Sequence, residues 1–231
     1  MIRLVALFSR YPRLTLLAGI GALFAVLCVE GLVLTVRPLG GTRAHASSPA
    51  SGLAFDAKAY VARIWSTRVL PAARHDSTPL TELLAALAKG KSAALRTSSH
   101  RVSGSYNMLI RFRGKVSRID TSSPIGTVTV DVSDGTGVVP VKVATGPVIL
   151  GTSLRDALKF ISFGEFLNQI QYGEVADSLN SEVMRKVIAP LRLARLKGRT
   201  VSVSGAYTYD AADPRDITVT PVILTVGKAA P

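Results

Sequence analysis

Residues Gly151 to Val175 read GTSLRDALKFISFGEFLNQIQYGEV and set Arg155, Asp156, Glu165, Asn168, Gln169 and Tyr172 among phenylalanines and leucines. A guanidinium, two amides and a phenol are the groups that hydrogen-bond a hydroxyl-rich small molecule, so a pocket built from Arg155, Asn168, Gln169, Tyr172 and Asn180 is one expectation. The other is structural. Ser153 with Asp156, and Ser162 with Glu165, have the spacing of capping boxes at two helix starts. Phe160, Phe163, Leu167 and Ile170 then form an apolar stripe suited to plugging one end of a β-barrel, with Asn168 and Gln169 satisfying nearby backbone groups.

Catalysis finds little support elsewhere in the chain. The three histidines, His45, His75 and His100, read as tether or loop residues. No glycine-rich phosphate loop follows a strand, and no nucleophile elbow or metal-ligand spacing is present. A non-enzymatic protein without a cofactor is expected, with OB-fold nucleic-acid binding or a carboxylate-dependent enzyme as the alternatives. The single cysteine, Cys28, lies inside an apolar stretch and excludes a disulfide framework.

The elements that would position these groups follow from periodicity. From Tyr106 the apolar period is two, with Met108, Ile110, Phe112 and Val116 on one face and Arg111, Arg113 and Lys115 on the other. GTVTVDVSDGTG and VVPVKVA supply two more strands around a turn at Asp134–Gly137. RTVSVSGAYTYD and ITVTPVILTV supply another two. Pro140 and Pro221 belong where no ladder donor is needed, and Gly114 where a long strand bends. The order strand, strand, strand, helix, strand, strand is that of an OB-like barrel. The fold class expected is α+β: a five-stranded OB-like β-barrel over 98–231, with a helical insertion over 152–190 between strands 3 and 4. The insertion divides into three helices, the last ending at Pro190.

A small helical subdomain over 55–97 precedes the barrel. Its first helix carries Phe55, Val61, Ile64, Trp65 and Val69 and ends at Pro71. Its second starts at a Ser77 or Thr78 cap and stops at Gly90, with Leu80, Leu83, Leu84 and Leu87 as its stripe.

Ahead of these lie a cytoplasmic N-terminus (1–13), an apolar stretch over 14–36 long enough for a transmembrane helix, and a flexible tether over 37–54. Arg3, Arg10 and Arg13 before the stretch favour a single-pass topology in the bacterial inner membrane, with the body in the periplasm. Glu30 interrupts the apolar run and could mark a helix partner.

The net charge of +13 is spread as +4 over residues 1–43, +4 over 44–97 and +5 over 98–231, with no polybasic tract. That pattern suits a solvated surface near anionic lipid more than a nucleic-acid footprint. Asp120, Asp210, Asp213 and Asp216, in the loops that would flank a strand-binding groove, repel phosphate, so nucleic acid is not an expected partner.

The stretch GPVILGTSLRDALKFISFGEFLNQIQYGEVADSLN (Gly146–Asn180), with FDAKAYVARIWSTRVLP upstream and LKGRTVSVSGAY downstream, resembles a bacterial family of unknown function from Phe55 to the C-terminus. Its members are described as predicted periplasmic lipoproteins and are often encoded beside sugar ABC transporters. The resemblance implies a helical subdomain with an OB-like barrel and an accessory role near transport, and it brings no catalytic residues. It would make Cys28 the lipidated residue. Leu27 stands directly before it, where processing usually takes a small residue, so the stretch reads as an uncleaved anchor, with a signal peptide cleaved at the A-x-A form of AHAS (Ala44–Ser47) as the rival reading. A transporter component or small polar ligand is the partner expected.

Overall fold

The structure is a computed structural model that describes residues 55–227. Leu53–Pro231 forms one compact unit, and Met1–Gly52 is a second unit that lies outside the described residues. The anchor and tether expected over 14–36 and 37–54, with Cys28 and Glu30, therefore fall outside them too. Among the described residues no helix is long and apolar enough to cross a membrane.

Strand β3 (Ser105–Asp120) organises the molecule. One of its edges pairs with β6 (Thr200–Tyr209) from Tyr106 to Lys115. The other edge pairs with β4 (Thr127–Ser133) from Lys115 to Asp120. β4 pairs with β5 (Val138–Ala144), β5 with β7 (Ile217–Val226) and β7 with β6, so the ladders return to β3. The expected count of five strands is corrected to seven. Sixteen-residue β3 outruns seven-residue β4 and would leave bare N–H and C=O groups on that edge. Two short strands cover it: β1 (Thr78–Pro79), parallel to β3 at Ile110 and Arg111, and β2 (His100–Val102), antiparallel at Ser105–Asn107.

Two special residues carry the bends. Gly114 sits where β3 exchanges one partner for the next, and a Cβ there would run into the Asp131 carbonyl oxygen and Val130 Cγ1. Pro221 falls beside the bulge between Ser204 and Gly205, where β7 carries one extra residue.

Alternation along the strands feeds two cores. Met108, Ile110, Phe112 and Val116 join Val128, Val130, Val141, Val143 and Val203 inside the circuit of ladders. Leu109, Ala206 and Val222 point to the opposite face and meet the helices. The element that closes the inner core is α3 (Leu80–Ser98), through Leu80, Leu83 and Leu95. The insertion was expected to do this; it packs on the outer face instead. There Leu154, Leu158, Ile161, Phe166, Val175, Leu179 and Val183 bury against Trp65 and Val69 of the N-terminal helix. The supposed plugging stripe is largely outside: Leu167 is 88% exposed, Ile170 71% and Phe163 45%. Helical spacing fails as a guide because Phe163–Glu165 is only one 3-10 turn and the helix starts at Gln169.

Other helix boundaries also shift. α1 (Ala57–Ile64), capped by Asp56, passes through a π turn (Trp65–Val69) into α2 (Leu70–His75), so Pro71 sits in the first turn of α2 instead of ending the helix. The wider π turn supplies a place where a missing N–H is tolerated. Ser77 and Thr78 do not cap α3, because Thr78–Pro79 is spent on β1. Gly90 is extended and interrupts α3, which resumes to Ser98. In the insertion, α4 (Ser153–Ala157) has Thr152, not Ser153, at its N-cap position, without a side-chain capping bond, and the expected second and third helices are one, α5 (Gln169–Val183), prolonged by a π turn to Ile188.

Substituting Gly114→Ala is expected to lower stability by about 1–3 kcal/mol, because the crowding is against backbone that cannot yield. Gly164→Ala, where nothing lies within 4 Å, leaves the melting temperature unchanged; thermal denaturation of the two variants checks both.

Candidate functional site

The short helix α4 carries two charged side chains into the outer core, Arg155 at 7% and Asp156 at 6% exposure. Desolvating a lone charge there would be costly, so the pair must be fully engaged. It is. Arg155 Nε and Nη2 donate to Asp156 Oδ1 at 2.8 and 2.7 Å. Arg155 Nη1 donates to the Tyr172 carbonyl at 3.1 Å, and the guanidinium lies 3.6 Å from the Tyr172 ring centroid. Thr152 Oγ1 donates to Asp156 Oδ2 at 2.6 Å, and the Tyr172 hydroxyl donates to Oδ1 at 3.4 Å. Burial raises the Tyr172 phenol pKa above its ordinary value; Arg155 opposes that and Asp156 adds to it. Tyr172 therefore stays a protonated donor at neutral pH.

Of the residues expected to form one pocket, the fold brings Arg155 and Tyr172 together and sends the rest to separate duties. Asn168 is the N-cap of α5, its Oδ1 accepting from Gln171 N at 2.9 Å. Gln169 is exposed beside it. Asn180, three turns along, donates to the carbonyls of Ile149 and Gly151 at 3.3 and 2.9 Å and holds the loop that leads into α4.

A cavity of about 380 Å³ opens between α2, the end of α3, β2, β3 and the residues after α4, lined in part by Asp76, Ser98, His100, Asn107, Lys159 and Phe160. His100, expected in a loop, is on β2, because β3 needs an edge partner there. Its Nδ1 meets the Asp156 carbonyl at 2.8 Å. A carbonyl only accepts, so in the neutral ring Nδ1 carries the proton and Nε2 keeps a lone pair. Asn107 is 2% exposed; its Oδ1 accepts from Thr208 at 2.7 Å, and Thr208 Oγ1 in turn lies 2.6 Å from Ser153 Oγ. Both cavity groups are thus held by the helix that carries the buried ion pair. Sequence reasoning did not single out Asn107. Leu109, apolar between Asn107 and Arg111 on the odd-numbered face of β3, is the sign in the chain that this face is covered there.

A second depression, about 430 Å³, follows the outer face of β3, β6 and β7, where Arg111 and Arg113 stand opposite Ser204 and Ser202 in register. Arg111 donates to the Ser77 carbonyl. Among the described residues no group of three or more His, Cys, Asp or Glu side chains is placed to hold a metal ion.

A family model described as "Predicted periplasmic lipoprotein (DUF2291)" matches residues 22–225. The chain belongs to this family of predicted periplasmic lipoproteins. Its description suggests a periplasmic, membrane-anchored location, and the matched residues include Cys28. No curated protein matches the chain. Among solved structures it is similar to an OB-fold protein from Thermotoga maritima, with 20% identity, a TM-score of 0.62, and coverage of 75% of this chain and 99% of that one. That likeness concerns the fold.

Removing one member of the ion pair is expected to be far worse than removing both. Asp156→Ala leaves a buried guanidinium unpaired and should cost about 3–5 kcal/mol, whereas the double variant Arg155→Met/Asp156→Leu should recover most of the loss. Urea denaturation of the two variants and the parent measures the difference.

Proposed function

We propose that this protein is a membrane-attached accessory binding protein of the periplasm that serves a sugar ABC transporter and holds a small polyhydroxylated ligand without transforming it. The observation that carries the reading is the cavity beside α4. Its volume of about 380 Å³ falls within the range of small-molecule sites. Its walls combine apolar surface from Leu158 and Phe160 with an amide, an imidazole, a carboxylate and an ammonium. That mixture suits a sugar, whose hydroxyls both donate and accept while its C–H faces prefer apolar contact. The site is also rigid: Asn107 and His100 are tied to Thr208 and to the Asp156 main chain, so little ordering cost falls on binding. The resemblance to a family encoded beside sugar transporters supplies the transport context.

A second reading, strand binding along the outer face, draws on Arg111 and Arg113. Phe112 between them is buried, so that stretch presents no aromatic surface on which a base could stack.

The reading is tested by thermal denaturation of the full chain with a panel of mono- and disaccharides. A bound sugar at roughly a hundredfold excess over Kd should stabilise the protein by about 2.7 kcal/mol. Asp76→Asn and Lys159→Ala alter exposed groups at the cavity mouth. Together they should abolish the stabilisation and leave the ligand-free melting temperature unchanged. The sugar should be recovered intact. Stabilisation that survives both substitutions would move the site elsewhere, and a chemically altered sugar would make the protein an enzyme.

A further inference from the structure

We propose that the turn Phe163–Ile170 is a membrane-contact surface, with Leu167 and Ile170 entering the lipid headgroup layer beside the point where the chain enters the domain. The inference rests on the periplasmic, membrane-attached reading of the family and adds to it an orientation.

Three observations carry it. First, three large apolar side chains within eight residues face water: Leu167 at 88% exposure, Ile170 at 71% and Phe163 at 45%. Apolar residues gathered so closely on a surface mark a contact more than an accident of composition. Second, the stretch is built to hold them out. Leu167 N donates to Gln171 Oε1 at 3.0 Å and Gln171 N donates to Asn168 Oδ1 at 2.9 Å. Phe163 stands edge-on to Tyr172 at 5.6 Å, and Phe166 anchors the turn by burying beneath it. The two hydrogen bonds define the start of α5 with Leu167 and Ile170 turned outward.

Third, the chain arrives at this place. Phe55 packs edge-on against Phe166 with ring centroids 5.4 Å apart, and Tyr60 does so at 5.6 Å. The first described residue is therefore next to the neighbour of Leu167. Residues 37–54 alone separate Phe55 from the apolar stretch ending at Val36. A domain held by its N-terminal residues presents the root of its tether to the surface at the highest effective concentration. Leu167 and Ile170, the most exposed large apolar side chains among the described residues, belong to the turn that Phe166 anchors at that root. Basic residues accompany them: Arg68 lies over Phe160 at 4.0 Å, and Lys159 is exposed next to it. Of the nearby acids, Glu165 is engaged by Tyr60 and Ser162 at 3.4 Å each, while Asp56 and Glu174 are exposed beside Phe55 and one turn after Ile170.

The occupant is a lipid surface, since large apolar side chains held out at a helix start, next to the residues that lead to the apolar N-terminal stretch, are suited to entering a headgroup layer. A second copy of the chain and the chain's own apolar stretch are the competitors, and the test separates them. The full chain is reconstituted in vesicles of phosphatidylethanolamine and phosphatidylglycerol with the photoreactive residue p-benzoylphenylalanine in place of Leu167, or of Val138 as reference. Val138 is 65% exposed and begins β5, about 20 Å along that strand from its insertion end. Illumination should give phospholipid adducts at position 167 roughly tenfold above position 138. Leu167→Asp with Ile170→Asp, both at exposed sites, should leave the melting temperature and vesicle flotation unchanged while doubling the hydrogen exchange of the turn in vesicles. Adducts to a second copy, adducts to residues 14–36, or a yield at 167 no greater than at 138 would each overturn the inference while flotation still upholds attachment. Failure of the parent chain to float would overturn the attachment reading and the inference together.

Discussion

The structure depends on one strand being satisfied on both edges and both faces. β3 is long enough to serve β6 along one edge and β2, β1 and β4 in turn along the other. Its even-numbered residues from Met108 to Val116 fill the space within the circuit of ladders, Gly114 excepted, and Leu109 on the other face meets the helices. A strand bound in this way cannot slip register, because a shift of one residue would exchange its valine-facing and arginine-facing sides. Each helix then has a defined duty. α3 closes the interior with Leu80 and Leu83, and α1, α2, α4 and α5 cover the outer face.

The second core is where binding chemistry becomes possible. α4 is only five residues long, yet it carries the ion pair Arg155–Asp156, offers the carbonyl that orients His100, and reaches Asn107 through Ser153 and Thr208. Such a network is stable only if every member is satisfied. The exposed turn after it has the opposite character, being apolar where water is expected. Inside, a polar cluster defines a cavity; outside, an apolar turn sits beside the chain's entry. Both follow from how the 24 residues between Gly151 and Glu174 are divided between interior and surface.

Much of the sheet is legible along the chain because strands of period two announce themselves. The turn at Asp134–Gly137 forms as its residue types suggest, with Asp134 Oδ1 accepting from the backbone of Thr136 and Gly137. Trp65 is in the core, and Phe112 faces inward. Short edge strands are not legible. Thr78–Pro79 and His100–Val102 have too few residues for any period, and exist because β3 has an edge to cover. The helical insertion misleads for a related reason. Ser162 and Glu165 have capping-box spacing and do touch at 3.4 Å, but they close a single turn, and the helix waits for Asn168. A local motif records what a segment can do, and tertiary packing selects among its options.

By itself the sequence determined the composition of the two faces of each strand, the turn chemistry, the apolar N-terminal stretch and the family to which the chain belongs. These are properties of neighbouring residues, and local sterics and hydrophobic period suffice to specify them. Only the tertiary structure decided that α3, and not the insertion, closes the inner core, that Arg155 and Tyr172 meet while Asn168 and Asn180 do not join them, and that His100 and Asn107 share a cavity. Those outcomes depend on contacts between residues far apart in the chain, where competing burials of similar size are settled by which arrangement leaves no edge unpaired and no charge alone.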